Sequence, residues 1–422
     1  MAWSDLPRRS LGDPTRGVTP AGATEKMNYM TPDATCLHLL VGSWLLAATP
    51  LWAAEPDKAG KVEPIRLGII TEKDGPHLDI YLKSVAFCQG VTAVAIADAD
   101  GAEFERARRG LSEHPGEVTA FHSVEEMVSQ FKPHLALVAL PAHRSPAAIR
   151  IALQHDCHVL SEKPGCVTPE EFASLVELAQ TRNRNLMLSL PSRVSARTLR
   201  ARQIVQRGWL GKLYSVSAHQ VKDQARLTTP RYQDSWYASR EQSGGGHLIW
   251  LGIHQMDQIL FITGDRVSRV SSFCSNVGGQ SVEIEDAETV SLQFKSGMVG
   301  TFHGGYFLEG GMMEAGVTLW GSRGWLRINA HRRPDGSDES FQWYSTHEQA
   351  PRGVQTESPR SESGGYEGFV QAAVDAVRGL REAPLSAADS LTVLRVIFAA
   401  YRSSETGRAQ TVLPGAEGSG AR

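Results

Sequence analysis

Short apolar segments alternate with amphipathic segments between Pro64 and residue 191. The apolar segments have the length of strands, and the segments between them are amphipathic, as surface helices are. The predicted strands read PIRLGII, VTAVAIAD, HLALVALP, CHVLSEKP and NLMLSL. The third is a near-continuous apolar run, as expected for a central strand covered on both faces. Because strands separated by helices pair in parallel, the pattern predicts an α/β fold, with a Rossmann doubly wound parallel sheet over residues 64–191.

The pattern changes after residue 192. A helix, ARTLRARQIVQRGWLG, is followed by segments that read as strands, and the KSG and GSRG steps between them predict hairpin turns. We predict a C-terminal α+β domain with a mainly antiparallel open sheet over residues 192–365. Residues 333–365 are rich in Ser, Gly, Pro and charge, which predicts a long surface loop. Residues 366–412 are predicted as helices that close the fold.

The first 60 residues read as a leader, outside the folded part of the chain. An apolar run over residues 37–54 ends in small residues and has the length of a signal peptide, with cleavage expected near Ala53 or Ala54. The segment after Met27 lacks the Lys or Arg that such signals carry. The apolar run nevertheless favours an exported, periplasmic protein, with a membrane-anchored or a cytoplasmic one as alternatives.

Composition excludes several classes of protein. The net charge is −3 over 422 residues and no Lys/Arg run exceeds two, so nucleic acid is not an expected partner. Five cysteines without a CxxC motif or a close Cys/His cluster argue against a structural zinc site and a disulfide framework.

Ligands of doubly wound sheets bind beyond the carboxyl ends of the strands. That edge supplies the predicted cofactor-binding residues Thr71, Gly75, Asp98, Pro141, Glu162 and Lys163. Asp98 can accept hydrogen bonds from both ribose hydroxyls, which favours NAD over NADP, although an Asp at a strand end is also a common turn former.

The phosphate loop departs from the dinucleotide pattern. In place of G-x-G-x-x-G the chain reads LGIITEKDGPHL, with Thr71–Asp74 filling the turn before Gly75. One interpretation is a fold that has lost its nucleotide. The other is a longer loop in which a helix N-terminus, helped by Lys73, still meets phosphate.

Two further motifs carry candidate chemistry. SEKP follows a predicted strand and places Lys163 at the ligand edge of the sheet, where it can stabilise a developing alkoxide. The alternative is a surface lysine without a role in the site. In GGGHLIWLGIHQMD, Trp250 and His254 are four residues apart and share one helix face. His254 has the chemistry of a general base. The alternative is that Trp250 packs between domains and His254 is a hydrogen-bonded core histidine.

An ordered set of segments resembles one family. These segments are SEKPGCVTPEEF, GKLYSVSAH, GGGHLIWLGIHQMD, TVSLQFKSGMVGTF, LWGSRGWLRIN and FVQAAVDAVRG…AYRSSETGR. Together they resemble the Gfo/Idh/MocA family of glucose–fructose oxidoreductase and inositol dehydrogenase, with a divergent phosphate loop. The resemblance implies NAD or NADP as cofactor, a site between the domains, and a homo-oligomer, dimer or tetramer, formed through the C-terminal sheet. It also implies catalytic roles for Lys163 and His254, and places Arg193 and Trp236 at the substrate cleft.

Trp250 stands where dehydrogenases of this family carry Asp. Indole donates one hydrogen bond but relays no proton, whereas its flat ring can stack on a pyranose, so Trp250 is predicted to bind substrate. Asp257 and Gln258 are placed to orient His254, and His247 lies either in the cleft or at a solvent-facing helix start. A metal site of His247, His254 and His303 has no spacing that fixes a shared geometry, so no metal is expected.

The expected function is therefore an NAD(P)-dependent oxidoreductase acting on a sugar or polyol hydroxyl, with tightly held cofactor if the protein is exported. Two alternatives remain open: a lyase or glycoside-cleaving enzyme acting on oxidised sugars, and a non-catalytic carbohydrate-binding protein.

Overall fold

The computed structural model describes residues 63–329, 341–360 and 364–412. The predicted leader lies outside these residues, so its role in export stays a prediction. No helix within the described ranges is long and apolar enough to cross a membrane.

The N-terminal part of the described chain alternates strands and helices as predicted. Its elements are β1 Ile65–Thr71, α1 Leu78–Ala86, β2 Val91–Ala97, α2 Phe104–Gly110, β3 Val118–Phe121, α3 Val124–Glu126, β4 Leu135–Ala139, α4 Ser145–Gln154, β5 His158–Ser161, α5 Pro169–Thr181 and β6 Leu186–Leu188. A π-helical turn, Met127–Phe131, continues α3.

The first sheet has the order β3-β2-β1-β4-β5-β6, and every pair in it is parallel. This is the doubly wound order in which ligands bind where the strand order reverses, here between β1 and β4. Strand β4 is buried along its whole length, as its apolar run predicts. Strand β3 was not predicted, because this short edge strand is only partly buried and carries no long apolar run.

The C-terminal part contains a second sheet and the helices that pack on it. Its elements are α6 Ala196–Gln206, β7 Leu213–Asp223, α7 Pro230–Gln233, α8 Arg240–Ser243, α9 Ile253–Thr263, β8 Val267–Ser275, β9 Ala287–Phe294, β10 Val299–Leu308, β11 Met313–Gly321, β12 Gly324–Asn329, β13 Phe341–Ser345, β14 Gln355–Glu357, α10 Gly365–Val377, α11 Ala387–Thr406 and β15 Gln410–Thr411.

The second sheet has the order β14-β13-β12-β11-β7-β10-β9-β8-β15. Strand β7 lies in the middle, antiparallel to β11 and parallel to β10, and the other pairs are antiparallel. Helix α11 packs on β8, where the Ser403 hydroxyl accepts the Ser272 N–H at 3.1 Å. The opposite face carries exposed apolar side chains, including Phe273, Val299 and Trp320. The predicted α/β fold with a second, mainly antiparallel sheet is confirmed.

One prediction is wrong in part: residues 333–365 are not a continuous loop, because β13 and β14 lie within them. Phe341 and Trp343 alternate with half-buried residues and are themselves fully buried. Trp343 stacks on Trp209 with ring centroids 5.2 Å apart and donates to Glu357 at 2.7 Å. In this short segment buried and half-buried residues alternate, which is the pattern of a half-buried strand, but the polar residues around it made the segment look like a loop.

Candidate functional site

A cleft of about 840 Å³ opens at the carboxyl edge of the parallel sheet, against β7 and the segment that follows it. The lining residues come from both parts of the fold and include predicted and unpredicted ones. They are Lys73, Asp74, His77, Lys163, Gln220, Lys222, Arg226, Thr229, Arg231, Tyr232, Asp234, Ser235, Trp236, Tyr237, Trp250, Leu251, His254 and Tyr366.

Glu162 and Lys163 follow β5 and are both buried. Glu162 accepts a hydrogen bond from the Tyr81 hydroxyl, and its other carboxylate oxygen is 3.1 Å from His77 Nδ1. Lys163 Nζ donates to the Trp250 carbonyl at 2.6 Å and is 3.7 Å from Glu162 Oε1. Burial lowers the pKa of Lys163 to about 8, and the Glu162 charge opposes that shift. The ammonium group is therefore held in place at the cleft with a pKa near the neutral range.

Trp250 and His254 reach the same cleft, as their spacing predicts. A π-helical turn, Leu248–Gly252, leads directly into α9 and carries Trp250 one turn before His254. Burial and the Lys163 charge lower the pKa of His254 to about 3. Its side chain forms no hydrogen bond with any described residue. The imidazole is consequently neutral near pH 7 and able to accept a proton from a ligand.

Aromatic rings surround this pair. Trp236 stacks on Tyr237 with centroids 3.8 Å apart, and both stand edge-on to Trp250, at 5.2 and 5.0 Å. The buried indole Nε1 of Trp250 has no hydrogen-bond partner among the described residues. Trp236 and Trp250 thus line the cleft, and their role in substrate binding stays a prediction. Tyr237 was not predicted, because its position beside Trp236 belongs to no motif.

Arg193 lies elsewhere. Its guanidinium binds the buried Asp257 carboxylate, with Nη2 2.7 Å from Oδ1, and its Nη1 is 3.1 Å from Asp389. Arg193 does not line the cleft, and its ion pairs give it a structural role. Asp257 therefore pairs with Arg193 and does not orient His254. Gln258 likewise donates to Thr198, at 2.8 Å.

His247 lies neither in the cleft nor in solvent. It is fully buried, with Nδ1 2.6 Å from Glu288 Oε1. His303 is exposed and lies 3.1 Å from the Thr289 hydroxyl. Across the described ranges, no group of three or more His, Cys, Asp or Glu side chains is arranged to hold a metal ion.

The remaining predicted cofactor residues lie at the carboxyl edge of the sheet. Thr71 ends β1, and its hydroxyl donates to the Ala139 carbonyl at 3.2 Å. The buried Asp98 carboxylate follows β2 and accepts the Glu103 N–H at 2.8 Å. It therefore forms the turn that begins α2, and its carboxylate oxygens keep lone pairs for a ribose. Pro141 is buried just after β4.

The phosphate loop packs tightly against the sheet. A Cβ on Gly75 would lie 2.1 Å from the Thr71 hydroxyl and 2.7 Å from the Ala139 carbonyl oxygen, so only glycine allows this approach. The Asp74 N–H donates to a Glu103 carboxylate oxygen at 3.0 Å and is not directed at the cleft. Lys73, in contrast, lines the cleft.

These residues fit a nicotinamide dinucleotide. One continuous cleft reaches from Lys73 and His77 on the phosphate loop to Lys163 and His254. Of the predicted cofactor-binding residues, Lys163 lines this cleft, whereas Thr71, Gly75, Asp98, Pro141 and Glu162 lie beside it at the edge of the sheet where such cofactors bind. Two backbone N–H groups of the loop are already bound, that of Asp74 to the Glu103 carboxylate and that of Gly75 to the Glu72 carbonyl. A role for Lys73 at a pyrophosphate stays a prediction.

Two family models match the chain. Residues 77–190 match the oxidoreductase family with an NAD-binding Rossmann fold, and residues 198–327 match the Gfo/Idh/MocA C-terminal domain. Together the matches cover more than half of the 422 residues. The chain belongs to the Gfo/Idh/MocA family. The predicted family and a nicotinamide dinucleotide as its cofactor class are confirmed.

Relatives and solved structures agree with this assignment. The D-glucoside 3-dehydrogenase of Escherichia coli is 28% identical over 209 residues, which are 48% of this chain and 54% of that protein, so the chain spans about half of its relative. Levoglucosan dehydrogenase, solved with NADH and L-sorbose, has a TM-score of 0.70 at 19% identity and covers 84% of this chain and 100% of its own. The WlbA dehydrogenase of Chromobacterium violaceum, solved with NADH and UDP-GlcNAcA, has a TM-score of 0.69 at 18% identity and covers 83% and 96%. These structures share the fold.

Proposed function

We propose that this protein is an NAD(P)-dependent oxidoreductase that acts on a hydroxyl group of a sugar or polyol. One observation carries the proposal: Lys163 and His254 line the same cleft, and aromatic rings form its wall. Lys163 is buried, and His254 has no hydrogen-bond partner among the described residues. These are the groups needed to remove a hydroxyl proton and to stabilise the alkoxide that forms.

In the proposed reaction, His254 takes the hydroxyl proton of the substrate. Its low pKa keeps the imidazole neutral but makes it a weak base, so the transfer depends on the Lys163 ammonium group to stabilise the alkoxide that forms. Lys163 donates a hydrogen bond to the same oxygen, and the Trp250 carbonyl fixes its ammonium group in position. The bound nicotinamide would accept the hydride from the carbon. Trp236, which is partly buried, offers a ring to the apolar face of the sugar, and the buried Trp250 excludes water from the pair.

We propose NAD as the preferred form of the cofactor. Support comes from Asp98, a buried carboxylate at the end of β2, because dinucleotide-binding folds use an acidic residue after this strand to bind the ribose hydroxyls. A 2′-phosphate there would meet a negative charge, and the Glu103 carboxylate follows in the same turn. Support for a sugar substrate comes from the names of the relatives, which act on a D-glucoside or are solved with L-sorbose.

A second candidate is a carbohydrate-binding protein without redox activity. The bond from the Asp74 N–H to Glu103 favours it, because this places a carboxylate beside the loop that would receive a pyrophosphate. Both candidate functions use the same cleft to bind sugar. They differ in whether the protein also binds a nicotinamide cofactor.

The decisive experiment uses the full chain. The purified protein is denatured and its supernatant tested for NAD and NADP by mass spectrometry, with titration of both cofactors into the native protein. Glucosides, levoglucosan and L-sorbose are then screened for a change in nicotinamide absorbance, in the wild type and in His254→Asn. Cofactor binding with turnover that His254→Asn abolishes supports the proposal. Sugar binding without either cofactor contradicts it and leaves the second candidate, and product release without nicotinamide reduction identifies a lyase or glycoside-cleaving enzyme.

A further inference from the structure

Positive side chains exceed negative ones around the cleft. Five lysine and arginine side chains line it, against two aspartates, Asp74 and Asp234. Arg231 is paired with Asp74 at 3.0 Å and is largely exposed at the rim. The charges that remain are therefore mostly positive, and a cleft of this kind attracts an anion.

Two of these cations, Lys222 and Arg226, belong to the C-terminal part of the cleft. Neither has a carboxylate partner among the described residues. Burial and the neighbouring Arg226 lower the pKa of Lys222. Lys222 and Arg226 line the same cleft as Lys163 and lower its pKa, so the three positive charges oppose one another. Bringing like charges together costs free energy, and a bound anion would offset that cost.

The structure holds Arg226 in place without a counter-ion. Strand β7 ends at Asp223, whose carboxylate accepts the Ala225 N–H at 2.5 Å and also the Gly311 N–H, and this fixes the turn that carries Arg226. The guanidinium carbon lies 5.7 Å from the centroid of the Tyr306 ring and 5.9 Å from that of Tyr232. Contact with the two tyrosines, including a hydrogen bond with Tyr306, orients the group, and no carboxylate of the described residues pairs with its N–H fork.

Uncharged polar atoms in the same cleft indicate the rest of the ligand. The Gln220 Oε1 and the Trp250 Nε1 are buried and have no hydrogen-bond partner among the described residues. The two residues are 7% and 4% exposed, and both line the cleft. Gln220 precedes Lys222 by two positions on β7, so both side chains lie on one face of the sheet. Buried polar groups normally have partners, and ligand hydroxyls would supply them here.

We propose that the substrate is an anionic sugar, whose carboxylate or phosphate group binds Lys222 and Arg226 while its hydroxyls bind Gln220 and Trp250. This inference rests on the proposed function and names the substrate class of that site. The anion-binding pair belongs to β7 and the turn after it, whereas the group predicted to meet a cofactor pyrophosphate is Lys73 on the phosphate loop. The two kinds of anion are thus assigned to different residues.

The test compares matched charged and neutral sugars. Binding of D-glucuronate, D-galacturonate, D-glucose 6-phosphate, D-glucose and D-galactose to the full chain is measured by calorimetry, at low and high salt, with NAD present. We expect at least one anionic sugar to bind at least about tenfold more tightly than its neutral counterpart, with a preference that salt weakens. Tighter binding of the uronates would identify a carboxylate as the bound anion, and tighter binding of D-glucose 6-phosphate would identify a phosphate.

Variants assign the effect to residues. Arg226→Gln and Lys222→Gln should each remove most of the preference, while NAD affinity stays within about twofold of wild type. Arg381→Gln changes the net charge equally at an exposed position outside the cleft and should keep the preference. Equal binding of charged and neutral sugars, no sugar binding, or an undiminished preference in both cleft variants overturns the inference. Turnover of neutral sugars alone would contradict the anionic substrate and leave the proposed oxidoreductase function in place. Binding of anionic sugars without any cofactor would support the anion site and contradict the oxidoreductase function.

Discussion

Lys163 Nζ lies 2.6 Å from the carbonyl oxygen of Trp250 and 4.6 Å from the centroid of the indole ring of the same residue. One residue therefore holds the lysine through both its backbone and its side chain. Trp250 thus supports the lysine with a carbonyl and a ring, and the nearby carboxylate comes from Glu162, whose Oε1 lies 3.7 Å from Lys163 Nζ. This places the burden of proton transfer on His254.

Replacing Lys163 tests its role directly. Lys163→Met keeps the length of the side chain and removes the charge, so the alkoxide loses its hydrogen-bond donor. We expect kcat to fall by about 10²–10³-fold, as for the loss of one stabilising donor, with little change in NAD affinity. Lys83→Met, at an exposed position in α1, is the control and should leave kcat unchanged. Wild-type turnover in Lys163→Met would exclude the lysine from the reaction.

The pH profile should follow the two shifted pKa values. Lys163 must be protonated to donate, so kcat/KM should fall about tenfold per pH unit above its pKa of about 8. His254 must be neutral, and its pKa of about 3 places the acidic fall far below the neutral range. A plateau between these limits is expected in steady-state assays. A fall centred near pH 6.5 would contradict it, because that is the ordinary pKa of histidine.

The indole N–H of Trp250 should contribute to sugar binding. Trp250→Phe keeps an aromatic ring in the cleft and removes the donor that has no partner among the described residues. Loss of one hydrogen bond of ordinary strength predicts a rise in the Kd for sugar of about tenfold. Trp320→Phe, at a partly exposed position on the opposite face of the second sheet, should bind sugar as the wild type does. Unchanged affinity in Trp250→Phe would show that the ring alone makes the contact.

The buried Tyr401 hydroxyl stabilises the π-helical turn that leads into α9. The Tyr401 hydroxyl donates to Glu285 at 2.7 Å and accepts the Ile249 N–H at 3.2 Å. Tyr401→Phe leaves that N–H without its partner and should lower the free energy of unfolding by about 1–3 kcal/mol. Urea unfolding measures this, with Tyr214→Phe at an exposed position as control. Equal loss in both variants would refute the assignment.

The exposed face of the second sheet should mediate self-association. Val299 and Trp320 both pair with Ser215 of β7, so the two exposed side chains flank one position on that face. Val299→Glu introduces a charge there and should lower the mass observed by light scattering. Val354→Glu, equally exposed outside the sheet, should not. A wild type that is monomeric would contradict the prediction.

Much of the fold and part of the site could be predicted, because both depend on local patterns. The strand ends placed Lys163 at the ligand edge, and a spacing of four placed Trp250 and His254 on one face. Partners distant in sequence gave no such signal. Arg193 and Asp257 are 64 positions apart, and no local pattern indicated their ion pair. Lys222 and Arg226 look like ordinary surface cations in the sequence, and only the fold directs them toward the cleft.

The position of β7 has a consequence for how the site works. Gln220 and Lys222 belong to the middle strand of nine, hydrogen-bonded on both sides, whereas Lys73 belongs to a loop. Side chains on a rigid strand lose little conformational entropy when a ligand arrives, and loop residues lose more. The part of the cleft formed by Gln220 and Lys222, which we propose binds the sugar, is therefore preorganised. Choice among sugars should depend on fit to a fixed shape, while cofactor affinity should depend on how readily the loop becomes ordered.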